Sequence, residues 1–149
     1  MEIEFLGFLA VGFLAQLIDG ALGMAFGVIS TTTLLTLGLS PAHASAVVHT
    51  AEVVTTGVSA ISHMAHRNIN RRLVLELSIA GAVGAILGAY VLSNIDGKAI
   101  RPYVATYLLL VGISILGRAL AGSPSRDASP RFATPLGVVG GFLDAIGGG

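Results

Sequence analysis

Seven polar residues, Ser45, His49, Glu52, Thr56, Ser59, His63 and His66, recur at alternating spacings of four and three residues in a stretch that is otherwise apolar. On an α-helix that spacing sets all seven side chains along one face, so water in a pathway, or another helix, is expected to lie along it. Glu52 falls near the middle of the 41–66 segment, and an ionisable side chain at membrane depth is costly enough to point to function. His49 stands one helical turn before Glu52, which makes the two a candidate proton relay. The competing roles are a structural hydrogen bond for Glu52 and a packed, satisfied ring for His49. His63 and His66 lie beside Arg67 and suit contact with lipid headgroups.

A second constellation occurs twice. Asp19 is followed four residues later by Gly23 in the run Gly12 to Gly23, and Asp144 is followed four residues later by Gly148 in the run Gly137 to Gly149. Each copy places a carboxylate and a glycine cluster inside an apolar stretch, and paired glycine-interrupted segments are the best sequence pointer to a transporter's binding site. Unwound backbone at a half-helix start exposes N–H groups that hold an anion. The candidate residues for solute binding or proton coupling are therefore Asp19, Gly20, Gly23, His49, Thr50, Glu52, Thr55, Thr56, Asp144, Gly147 and Gly148. Asp19 and Asp144 have an alternative role, capping nearby helix starts, and the glycines an alternative as packing kinks.

No lysine or arginine lies centrally in any apolar stretch. An anionic solute would be held by backbone N–H groups, by the hydroxyls of Ser30, Thr31, Thr32, Thr50, Thr55 and Thr56, or by a protonated histidine. Ionised Glu52, Asp19 and Asp144 would repel it and are better suited to carry protons. The same residues leave open a divalent metal or cation permease that uses His49, Glu52, His63 and the aspartates as ligands. Enzyme chemistry has no foothold: His49-Thr50-Ala51-Glu52 is not the two-histidine zinc helix, no Gly-x-Ser-x-Gly elbow occurs, and the glycines at 147–149 follow no strand. No cofactor is implied.

These residues must be positioned by helices in lipid. Hydrophobic residues make up 54% of the 149 and charged residues 11%, against about 25% charged in a soluble domain, and mean hydropathy is +0.86. A net charge of zero gives no field for nucleic acid, and the absence of cysteine removes thiol chemistry. The acidic start Met1-Glu2-Ile3-Glu4 lacks the basic region of a signal peptide, so the first apolar segment is expected to be mature structure. Apolar stretches run over about 3–18, 21–39, 41–65, 73–93 and 99–121, with another from 135. The third to fifth are long enough to cross a bilayer. Asp19-Gly20 is expected to divide the first two, and Ser40-Pro41 and Thr134-Pro135 each read as an N-cap followed by proline at the first helical position. The Gly81, Gly84, Gly88 series reads as a close-packing face.

Arg67, Arg71 and Arg72 follow the striped helix, and Arg118, Arg126 and Arg131 flank or occupy the turn-rich segment 122–134. The positive-inside rule puts both loops in the cytoplasm and the turns at 39–40 and 94–98 outside. If 3–18 and 21–38 form a hairpin that enters and leaves on the outer face, the two echoing halves are inverted relative to each other. The expected architecture is all-α: a polytopic transmembrane bundle, the first half of an inverted repeat with a glycine-broken, re-entrant first segment. Its parts are a first transmembrane repeat at 1–121, a cytoplasmic linker at 122–134 and the start of a second repeat at 135–149.

The chain resembles the sulfite exporter TauE/SafE family of membrane permeases. The resemblance rests on the segment ending Asp19-Gly20-Ala21-Leu22-Gly23-Met24-Ala25-Phe26-Gly27, on Ser45 to Val53 with Thr55-Thr56, and on Gly140 to Gly149. It implies two related halves, each opening with a glycine-rich segment, and secondary transport of a small sulfur-containing anion such as sulfite or an organosulfonate across a cell membrane, the bacterial inner membrane being expected. The second half here stops at Gly149, just after its opening motif, so the pathway is expected to need the rest of that half or another copy.

Overall fold

The computed structural model describes residues 2–22, 25–67, 69–122 and 132–147; the side chains of Glu2, Ile3, Glu4 and Leu22 are not considered. Among the described residues there are six α-helices and no strand: α1 (Glu2–Leu22), α2 (Phe26–Thr36), α3 (Pro41–Ala65), α4 (Arg71–Asn94), α5 (Gly97–Ala121) and α6 (Ala133–Gly147). Three of them, α3, α4 and α5, are long and apolar enough to cross a membrane, and they coincide with the three long apolar stretches of the sequence. Large apolar side chains such as Val53, Ile86, Leu110 and Val139 stand exposed on α3, α4, α5 and α6, as a lipid-facing surface requires. The linker expected at 122–134 lies mostly outside the described residues.

Local chemistry explains the boundaries. Ser40 caps α3 by accepting from the His43 N–H at 3.4 Å, with Pro41 at the first helical position. Asn70 accepts from the Leu73 N–H to start α4, and Asp96 accepts from the Lys98 N–H to start α5. α5 ends at Gly122, whose φ of 57° is the left-handed conformation glycine adopts without strain. Two expected boundaries move. α6 begins at Ala133, ahead of Thr134, so Thr134 is inside the helix and Pro135 sits in the first turn, where its missing N–H costs nothing. The first break falls after Leu22, three residues beyond Asp19, because Asp19 stays helical while its carboxylate reaches across the break.

That reach sets the path of the chain. Asp19 Oδ1 accepts from the backbone N–H groups of Ala25 at 2.7 Å and Phe26 at 3.2 Å. In one straight helix residues 19 and 26 would lie about 10 Å apart along the axis, and residues 15 and 26 about 16 Å. Ala15, Phe26 and Val48 instead share one buried cluster, with Ile29 and Leu34 against it, so α2 folds back toward α1. A second cluster joins Val28 and Leu35 of α2, Ala44 of α3, and Val104 and Leu108 of α5. The Arg101 guanidinium also donates to the Leu35 carbonyl near the end of α2, placing a cation where helix carbonyls are left over.

α4 makes its main contact elsewhere. It runs parallel to α6 with the two backbones touching: Gly81 meets Gly137 and Gly141, Gly84 meets Val138 and Phe142, and Gly88 meets Phe142 and Ala145. A Cβ at Gly84 would lie 2.8 Å from the Phe142 nitrogen, and one at Gly137 would lie 2.8 Å from the Ala80 Cβ. The glycine series is thus the close-packing face its spacing suggested, and its partner is the helix that carries the second echo. Parallel α4 and α6 require that both enter from the same side, as the arginine distribution predicted. At the opposite side Gly97 lies against Ser40 and Pro41, which brings together the two turns assigned to one face.

Candidate functional site

The ends of α2 and α4 and the starts of α3 and α5 gather at that face, and the polar residues lie at similar depth below it. His49 and Glu52 are about 12 and 17 Å down α3 from Pro41, and the start of α2, held by Asp19, is about 16 Å from its end at Thr36. Asp144 is level with the segment of α4 between Ala85 and Gly88, about 10–14 Å from Asn94. All therefore lie at about the same distance from that face, roughly half the 30 Å thickness of a hydrocarbon layer.

Between α3, α4 and α6 is a cavity of 370 Å³ whose walls include Ser45, His49, Ala89, Ser93, Asp144 and Ala145. His49 Nδ1 is 2.9 Å from Glu52 Oε2. An ionised carboxylate only accepts, so when Glu52 is ionised Nδ1 is the protonated nitrogen, and Nε2 is then a lone pair in the neutral ring and an N–H donor in the imidazolium. Nε2 is buried with no hydrogen-bond partner among the described residues. Ser45 Oγ donates to the Ala145 carbonyl at 2.6 Å, satisfying one of the orphan carbonyls in the last turn of α6.

The stripe on α3 divides. Ser45, His49 and Glu52 face the other helices, whereas Thr56, Ser59, His63 and His66 are exposed. The expected threonine donors are spent inside α3: Thr50 Oγ1 donates to the Ala46 carbonyl at 2.7 Å, and Thr55 and Thr56 both donate to the Glu52 carbonyl. Thr50 and Thr56 are also exposed. Their remaining lone pairs suit an anion poorly. Thr31 differs: it is fully buried and its hydroxyl has no partner among the described residues.

The echoing aspartates do different things. Asp19 takes the capping role, so the first N–H groups of α2, the half-helix start expected to hold an anion, are already occupied by its carboxylate. Asp144 faces the cavity instead, inside a helix that runs unbroken to Gly147. In α6 three of the glycines serve contact rather than unwinding: Gly137 and Gly141 meet α4, and Gly147 is covered by the Tyr107 ring, while Gly140 has open space around it. Gly20 is exposed with open space around it, while Gly23 and Gly148 lie outside the described residues. Among the described residues no group of three or more His, Cys, Asp or Glu side chains is placed to hold a metal ion.

Ser93 and Tyr107 were missed in the sequence. Ser93, near the end of α4, reads as a helix-terminus polar residue, and Tyr107 reads as an aromatic in a lipid-facing span. Nothing in their local spacing shows that α6 will pack beside both.

An apolar helical bundle with three helices long enough to cross a bilayer defines a polytopic membrane protein. The sequence pattern described as "Sulfite exporter TauE/SafE" matches residues 8–149, and the chain belongs to that family. It is 47% identical over 148 residues to the protein called "Probable membrane transporter protein YtnM" of Bacillus subtilis (strain 168), an alignment covering 95% of this chain and 49% of that protein. The chain thus spans about half the length of this curated relative. No solved structure matches the chain.

Proposed function

We propose that this chain forms part of a secondary transporter that moves a small sulfur-containing anion, sulfite or an organosulfonate, and that proton transfer at Glu52 and His49 is coupled to its movement. The observation that carries the reading is His49 in the wall of the cavity, with Nδ1 held by Glu52 and Nε2 buried without a hydrogen-bond partner among the described residues. Protonated, the ring presents a charged N–H donor to an anion in the cavity; deprotonated, it offers a lone pair that releases it. Glu52 fixes the ring and balances its charge. Asp144, on the facing helix, disfavours an anion while ionised, so protonation there favours the loaded state as well.

Proton-driven uptake and efflux of sulfite and of a panel of sulfonates, measured in vesicles with and without a pH gradient, tests this reading. Glu52→Gln removes the titrating group but keeps an acceptor for Nδ1. It is expected to abolish the dependence on the pH gradient and to cut gradient-driven flux at least 10-fold, and His49→Gln to cut flux at least 100-fold, in the range typical of lost acid–base groups. Full proton-dependent transport by Glu52→Gln rejects the coupling. Flux of divalent cations but of no sulfur anion turns the reading over to the cation permease.

The first two helices are read as a re-entrant hairpin whose tip carries Asp19 to mid-depth and whose ends open on the outer face. Irregular backbone at that depth is tolerated only against protein or water, and the Asp19 cap supplies the protein partner. A cysteine introduced at Glu2 is expected to be labelled by an impermeant reagent from outside. Labelling confined to the cytoplasmic side rejects the hairpin and, with it, the inverted repeat.

A further inference from the structure

We propose that α4 and α6 move as one rigid body against the body formed by α1, α2, α3 and α5, and that the cavity holding His49 and Asp144 is the seam between the two. Three independent features lead there. The first is contact: α4 and α6 touch backbone to backbone through Gly81, Gly84, Gly88, Gly137 and Gly141, and small-residue interfaces of this kind are stiff because no side chain separates the helices. The second is the composition of the cores. Both apolar clusters are built from α1, α2, α3 and α5, no residue of α4 enters either, and α6 contributes Ile146 at the periphery of one. The Arg101 bond to the Leu35 carbonyl further ties α5 to α2.

The third is what fills the seam. Where α3 faces the α4–α6 pair there is a 370 Å³ cavity in place of packed side chains, and a single side-chain hydrogen bond, Ser45 to the Ala145 carbonyl, crosses it among the described residues. Close-packed contacts resist shear, whereas a void of this size leaves α3 and the α4–α6 pair room to shift; the packed contacts between the two bodies lie beside it, where the Tyr107 ring covers Gly147 and Ile146 meets the cluster of α2, α3 and α5. The connection from α4 to α5 is short, Ile95–Asp96 between the two helices, and provides a hinge at the face where the turns gather. Rocking about it opens or closes the cavity over His49 and Asp144, which lie on opposite bodies. Its use in solute passage rests on the transport reading; the motion itself does not.

The chain has no cysteine, so spin labels report on chosen pairs without background. Ile86, Val139 and Val53 are exposed on α4, α6 and α3 and serve as Ile86→Cys, Val139→Cys and Val53→Cys in pairs. In the intact chain in phospholipid vesicles, the Ile86–Val139 pair is expected to give one narrow distance distribution. The Val53–Val139 and Val53–Ile86 pairs are expected to give broad or two-peaked distributions spanning about 5 Å, the scale of a one-turn helix displacement. Three equally narrow distributions overturn the proposal, as does an Ile86–Val139 distribution as broad as the other two. Two-body motion without sulfur-anion flux leaves this inference standing and removes the transport reading.

Discussion

Replacing Gly84 with leucine is expected to unseat α6 from α4 and destroy the folded bundle's resistance to heat and detergent. A Cβ at this position would enter the Val138 carbonyl and lie 2.8 Å from the Phe142 nitrogen. Both are backbone atoms inside a helix, so no rotamer change relieves the clash and the helices must part. Separation would forfeit the Gly81, Gly84 and Gly88 contacts together. Overpacking of a tight interface costs about 1–3 kcal/mol, occasionally more, and the backbone identity of the obstructing atoms puts Gly84→Leu at or above the upper end. Gly12→Leu, at a helical glycine with nothing within 4 Å of the added carbon, is the matched control and is expected to leave the melting temperature nearly unchanged. Equal loss in both variants would show that glycine content, not contact, governs stability.

Asp19→Ala is expected to have the second largest effect. It leaves the N–H groups of the buried residues Ala25 and Phe26 without their acceptor. An unsatisfied buried donor costs about 1–3 kcal/mol, so the two together are enough to release α2 from α1 in a marginally stable protein. Asp19→Asn retains a carbonyl oxygen at the same reach and is expected to restore most of the lost thermal stability. The pair also separates a cap from a proton carrier. If Asp19 acts as a cap, Asn supports solute flux close to that of Asp. If the carboxylate must titrate, Asn is as inactive as Ala while remaining folded.

Several of these features were legible in the chain. The three long apolar stretches became α3, α4 and α5 with boundaries displaced by few residues, because mean hydropathy over a bilayer's width is a local property. Ser40-Pro41 marked its helix start for an equally local reason. The Gly81, Gly84, Gly88 spacing identified a contact face, since only small residues recur on one side of that helix. The first break was misplaced by three residues because its position depends on how far the Asp19 side chain reaches, and the echo suggested equal roles for Asp19 and Asp144 although one caps α2 and the other faces the cavity.

The sequence by itself determined that this is a membrane-spanning helical protein and where along their helices Asp19, His49 and Glu52 would sit, since hydropathy and a fixed rise per residue require no knowledge of neighbours. Tertiary structure decided which polar groups meet. Ser45 and Ala145, 100 residues apart, are joined, His49 comes to share a cavity with Asp144, and the threonines of α3 turn back on their own helix. Helical periodicity fixes the face on which a side chain stands, while the helix that covers that face is chosen by glycine-to-backbone contacts between distant segments, which no local pattern encodes.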